Sequence, residues 1–69
     1  MPLTLANTGE ANAIKKIGGK EETKKFLESL GFVVGGNVIV VAKNNGNIIV
    51  NVKESRVAIS NEIANRIIV

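Results

Sequence analysis

Apolar and polar positions alternate most cleanly in the second half of the chain. Ile48, Val50 and Val52 fall on one side of an extended segment, and Ile49, Asn51 and Lys53 on the other. This pattern predicts a strand over Ile48 to Lys53. The near-continuous apolar run Val38 to Lys43 predicts the strand before it. Asn44-Asn45-Gly46-Asn47 joins the two, and its residue types tolerate the positive φ of a tight hairpin. Glu54-Ser55 is a short turn into a further strand, Arg56 to Ile59, with Val57 and Ile59 inward. Ser60 is a good helix N-cap before a helical turn, Asn61 to Asn65. Ile67-Ile68-Val69 is a last short strand.

The first half is less regular. Leu3 and Leu5 alternate with polar residues in an extended lead-in, so both are expected on one side. Glu10 to Ile17 is a strand candidate. The apolar phase shifts between Ala13 and Ile14, which implies a bulge or bend beside Lys15 and Lys16. After Gly18-Gly19 the period changes. Thr23, Phe26, Leu27 and Leu30 take the i, i+3, i+4, i+7 spacing of a helix from about 20 to 30, with these four on its buried stripe. Glu21 and Glu22 lie in the first turn, where the helix dipole favours them. Gly31 stands where a left-handed C-cap is wanted, and Phe32 can fold back on Leu27 as in a Schellman ending. Leu27, Leu30, Gly31, Phe32 and Gly35 together define a helix-to-strand corner.

The expected fold is mainly β with one helix: about five strands in a small, strongly bent barrel, with an inserted helix and a helical turn before the last strand. An open α+β sandwich, with the helix on a three-stranded sheet, is the rival arrangement. Sixty-nine residues leave room for one domain, 1–69, and only a modest core.

Composition narrows the chemistry. There is no Cys and no His, and every acidic residue is Glu. A Ser-His-Asp or Cys-His arrangement cannot be assembled. A structural zinc site lacks both of its usual ligand types. Lone Glu and Asn oxygens suit only weak binding of hard cations, so no cofactor is expected. Ile17-Gly18-Gly19-Lys20-Glu21 departs from a phosphate loop, with Ile14 where that loop has Gly and Glu21 where it has Ser or Thr. The two aromatic residues, Phe26 and Phe32, are both assigned to the core. That leaves no platform for stacking bases or proline-rich peptides. The net charge of +3 is spread along the chain. Lys15, Lys16, Lys20, Lys24 and Lys25 form at most a weak phosphate-binding face. No apolar run is long enough to span a bilayer, and the start does not read as a secretory leader. A cytoplasmic protein is expected.

Surplus apolar residues carry the functional reading. Val33 and Val34 sit at the corner, and Ile49 lies opposite the inward Ile48-Val50-Val52 set. These three are the candidate docking residues for a protein partner or a second copy.

Several segments, in order, resemble the ferrous iron transport protein A (FeoA) family. They are Pro2-Leu3-Thr4-Leu5, Gly9-Glu10, Ile14-Lys15-Lys16-Ile17 before Gly18-Gly19, and Leu27-Glu28-Ser29-Leu30-Gly31-Phe32-Val33-Val34-Gly35. They continue with Arg56-Val57-Ala58-Ile59 before Ser60-Asn61-Glu62-Ile63-Ala64, and close on Ile67 and Val69. Two positions depart from the family pattern: Val34 replaces the usual Pro, and Glu54 stands where Gly is frequent. The resemblance implies an SH3-like barrel. It also implies a non-catalytic cytosolic accessory protein of bacterial ferrous iron uptake, acting on the membrane transporter FeoB, which carries a cytosolic GTPase domain. The alternative it raises is a metal-linked regulatory domain like the C-terminal domain of iron-dependent repressors, or a weak nucleic-acid binder.

Overall fold

The computed structural model describes residues 1–69 and is built on an antiparallel meander. Strands β3 (Asn37–Lys43), β4 (Asn47–Val52) and β5 (Ser55–Ser60) follow one another. The first joining turn is the expected one, and the second is Lys53-Glu54 rather than Glu54-Ser55, because Ser55 already pairs with Val52. Ile48, Val50 and Val52 are all buried, so the strict alternation sets the inner face of the sheet as expected. In β3 the inner residues are Val38 and Val40. A bulge then interrupts the register between Val40 and Ala42. Ala42 is thereby placed opposite Ile49, on the outer face. The bulge explains why the apolar run of β3 is nearly continuous: the strand changes phase partway along it.

The predicted first strand is two strands. β1 (Ala11–Ala13) pairs with β3, and β2 (Lys16–Ile17) pairs with β6 (Ile67–Ile68). Between them the backbone of Ile14 donates to Gly36 O (2.8 Å) and accepts from Gly35 N (2.8 Å), and Lys15 N then reaches Ile68 O (2.8 Å). The expected bend is thus where the chain leaves one sheet for the other. The fold has six strands rather than about five, in a four-stranded sheet of order β1-β3-β4-β5 and a two-stranded sheet β2-β6. The ladder does not close into a continuous barrel, because Ile14 is bonded to a turn instead of a neighbouring strand.

Helix α1 (Glu21–Leu30) ends at Gly31, which is left-handed at φ 106°, ψ 3°. Phe32 N donates to Leu27 O (2.9 Å) and Gly31 N to Glu28 O (3.0 Å), the two bonds of a Schellman motif. Phe32 is fully buried and Leu27 is the one fully buried residue of the helix. Phe26 does not join them. It is 50% exposed, contrary to its assignment to the core. In so small a domain the helix meets the core along Leu27, with Leu30 packed at its edge, and no second wall rises to cover Phe26.

Leu3 and Leu5 also part company. Residues Leu3–Leu5 form a 3₁₀ turn, not an extended lead-in, so Leu3 is buried while Leu5 is 65% exposed. Helix α2 (Asn61–Ala64) opens on Ser60, whose Oγ accepts from Ile63 N at 3.2 Å, as its sequence position implies. Met1 and Val69 exchange hydrogen bonds at 2.7 and 2.8 Å, bringing the first and last residues together. Every buried residue of the core is hydrophobic, and no buried side-chain polar atom lacks a partner.

Candidate docking surface

The corner between α1 and β3 is fixed by main-chain bonds on both sides. The Schellman ending holds Gly31 and Phe32. Four residues later, Gly36 N donates to Val33 O at 2.9 Å, with Gly35 at φ 89° in the third position of the turn. That combination is a type II turn, which demands glycine at Gly35 and places Val34 at its outer corner. Val34 is 64% exposed in consequence. Val33 is half-buried, with its Cγ2 packed over the Cα of Gly36. The bonds from Gly35 and Gly36 to Ile14 anchor this turn to the bend of the first strand, so Val34 stands on a rigid support.

Ile49 lies elsewhere. It is half-buried on the outer face of the sheet, flanked across the strands by Ala42 and Ala58. Val34 precedes β3, whereas Ile49 pairs near the opposite end of that strand. Strand rise separates the two by roughly 15 Å. The structure therefore brings Val33 and Val34 together and leaves Ile49 on a different part of the surface. On β3 the bulged Val41 and its neighbour Ala42 lie nearest to it; farther along, Ile39 is half-buried above a groove bordered by Asn37, Asn51, Lys53, Glu54 and Arg56.

Other exposed apolar side chains escaped the sequence reading. Phe26 looked like core because its spacing fits the helical stripe, and Leu5 because it alternates with Leu3. Phe26 lies one turn before the corner, four residues from Leu30 and so on the same helical face. Met1 is 52% exposed.

The ionisable side chains do not assemble into a chemical site. No three Glu side chains come close enough to hold a metal ion, and there is no Asp, His or Cys to join them. Lys15, Lys16, Lys20 and Lys25 are exposed and Lys24 is partly covered, while Glu21, Glu22 and Glu28 are interleaved with them on the helix. No helix is long and apolar enough to cross a membrane.

Comparison with known proteins places this architecture. A protein of Methanocaldococcus jannaschii named "Putative Fe(2+) transport protein A" is 34% identical over 68 residues, spanning 99% of this chain and 83% of that protein. The crystal structure of Stenotrophomonas maltophilia FeoA complexed with zinc, described as a prokaryotic SH3 domain protein, superposes with a TM-score of 0.85 at 24% identity, covering 99% of this chain and 87% of that one. The fold also matches 39% of a manganese-dependent transcriptional repressor, with a TM-score of 0.88 at 18% identity over 97% of this chain. The SH3-like outline expected from the order of elements is thus the observed fold. The FeoA domain model itself matches residues 1–69 from end to end. This chain belongs to the FeoA family, which is associated with Fe(II) transport.

Proposed function

We propose that this protein is a non-catalytic docking module of ferrous iron uptake, acting in the cytoplasm on the GTPase-bearing part of an FeoB-type transporter. The observation that carries the reading is Val34, an apolar side chain held in solvent by a turn bonded on both sides. A rigid exposed apolar residue loses little conformational entropy when it is buried against a partner. The neighbouring Val33 and the exposed Phe26 would extend the contact. The side-chain inventory offers a partner surface to cover, and no nucleophile–base pair to do chemistry. Arg56 and Arg66 are the only guanidinium groups that could reach a neighbouring nucleotide site, and both are exposed.

The test is a titration of isotopically labelled protein with the soluble GTPase domain of the transporter, followed by GTP turnover on the same samples. Shift changes centred on Val33 and Val34 are expected. Val34→Asp should remove them without loss of folding, because the side chain is mostly in water. Ile49→Asp serves as the distant control. Full binding by the Val34→Asp protein would refute the proposed face, and no binding by the unmodified protein would refute the docking reading.

The fold shared with part of a metal-dependent repressor favours, as a second reading, a regulatory domain. Binding of DNA with a steep salt dependence, and none of the transporter domain, would support it over docking.

A further inference from the structure

Strand β5 has β4 on one side and no strand on the other. Its phase can be worked out. Lys53 and Glu54 are both left-handed, at φ 48° and 64°, between the paired residues Val52 and Ser55. This is a two-residue type I′ hairpin, whose flanking pair is of the hydrogen-bonded kind. Hydrogen-bonded and non-bonded pairs alternate along an antiparallel ladder, so Val50–Val57 and Ile48–Ile59 are bonded pairs too. The bond from Asn61 N to Gly46 O (2.9 Å) continues the same phase. Arg56 and Ala58 therefore turn their N–H and C=O groups away from β4. No turn, loop or cap bond of the chain begins or ends on either residue, and both are exposed.

The usual protections of an edge strand are missing here. Ser55-Arg56-Val57-Ala58-Ile59-Ser60 has no proline, no bulge and one charge. The opposite edge, β1, is half as long, at three residues against six. On the outer face beside this edge, Arg56 makes one side-chain hydrogen bond, from Nε to Asn51 Oδ1 at 3.5 Å, and no carboxylate engages its guanidinium. Lys53 and Arg56 line the adjacent groove against the single acid Glu54.

We infer that the free edge of β5 accepts an extended acidic segment of the protein partner as an additional strand. The inference rests on the docking reading and names how part of that contact is made. Main-chain bonds to Arg56 and Ala58 would supply the attachment. A carboxylate directly across from Arg56 would supply the selectivity, at cross-strand contact distance. A second copy of this chain fits less well. Pairing β5 with itself sets Arg56 and Lys53 of both copies on one face. A ladder of six residues also covers far less than the ~800 Å² per partner of a stable interface.

The probe is a blocked peptide of alternating glutamate and valine, with the lysine–valine peptide as control, followed by amide hydrogen exchange. The acidic peptide should slow exchange at Arg56 and Ala58 by about tenfold or more and leave β4 amides unchanged. Ala58→Pro should abolish that protection, since it removes an outward N–H that the β4 ladder does not use. Arg56→Glu should transfer the preference to the lysine peptide. Equal protection by both peptides, none by either, or binding by the Ala58→Pro protein with its β4 amides intact would overturn the inference. So would a concentration-dependent doubling of mass that Ala58→Pro prevents, which would assign the edge to a second copy. The GTPase domain separates the two proposals. Equal binding of it by the Ala58→Pro and unmodified proteins sinks the edge inference and leaves docking standing. Its failure to bind either, beside a normal peptide response, sinks docking alone.

Discussion

Substituting alanine for Gly31 tests the corner at its most constrained atom. The glycine sits at φ 106°, where an L-residue is strained by about 1–2 kcal/mol. Its new Cβ would also meet the stem of Lys53, with Cγ and Cδ at 3.3 Å and Cβ at 3.4 Å. The outer stem can shift, but Lys53 Cβ is fixed by a backbone that is itself left-handed, so part of the crowding persists. Against this, alanine restricts the unfolded chain and returns about 0.4–1 kcal/mol. The net expected loss is about 1 kcal/mol, which lowers the melting temperature by about 4–8 °C in a domain of this size. Thermal and urea unfolding followed by circular dichroism would measure it. Gly31→Asn should lose less than Gly31→Ala, because asparagine tolerates the left-handed region. The same alanine substitution in a Lys53→Gly background should cost less than in the native background, since the crowding partner is gone. An alanine variant as stable as the native protein would refute the left-handed cap, and equal losses in both backgrounds would refute the contact with Lys53.

Three further outcomes follow from neighbouring geometry. Glu54→Gly should stabilise by about 0.5–1 kcal/mol, because relief of a left-handed L-residue exceeds the entropy cost of glycine; destabilisation in urea melts would contradict the type I′ assignment. Val34→Pro should add about 0.4–1 kcal/mol, since proline suits the second position of a type II turn and Val34 N makes no turn bond; a loss would show a different turn. Phe32→Ala should cost about 3–5 kcal/mol and Phe26→Ala no more than about 1, a contrast that equal losses in the two unfolding curves would disprove.

The parts of the fold legible in the sequence are those where one local rule acts without competition. β4 alternates strictly and is bounded by Asn and Gly. Leu27, Leu30, Gly31 and Phe32 meet the full pattern of a helix ending. Ser60 precedes a helical turn as a cap should. What escaped reading depends on distant partners. Whether Phe26 is covered is decided by how far the sheet extends over the helix, which its own spacing does not encode. Leu5 left the core because the chain curls into a 3₁₀ turn that closes against the other end of the protein. The bulge after Val40 is a matter of register against β4, which the apolar run of β3 does not record. Glu54 stands where the family often has glycine and still takes the left-handed backbone that glycine adopts freely, and nothing local announced that Lys53 would share the strain. At the surface, Val33 and Val34 read as surplus apolar residues, and their turn explains why one is exposed and the other half-covered. Ile49 read as their companion because periodicity reports which face a residue takes, not its position along the strand.

The meeting of Met1 with Val69 bears on how the protein assembles. Strands β3, β4 and β5 pair in chain order, so this meander can form from short loops at small entropic cost, before β1 reaches β3 from across the helix. Pairing of β2 with β6, and the bonds between the two ends, must wait for most of the chain to be in place. Contacts so remote in sequence slow a folding reaction more than they stabilise its product. The middle of the chain is thus expected to order first and the two ends to zip shut last. Unfolding should begin where they part, and exchange of the β6 amides well before those of β4 is its signature.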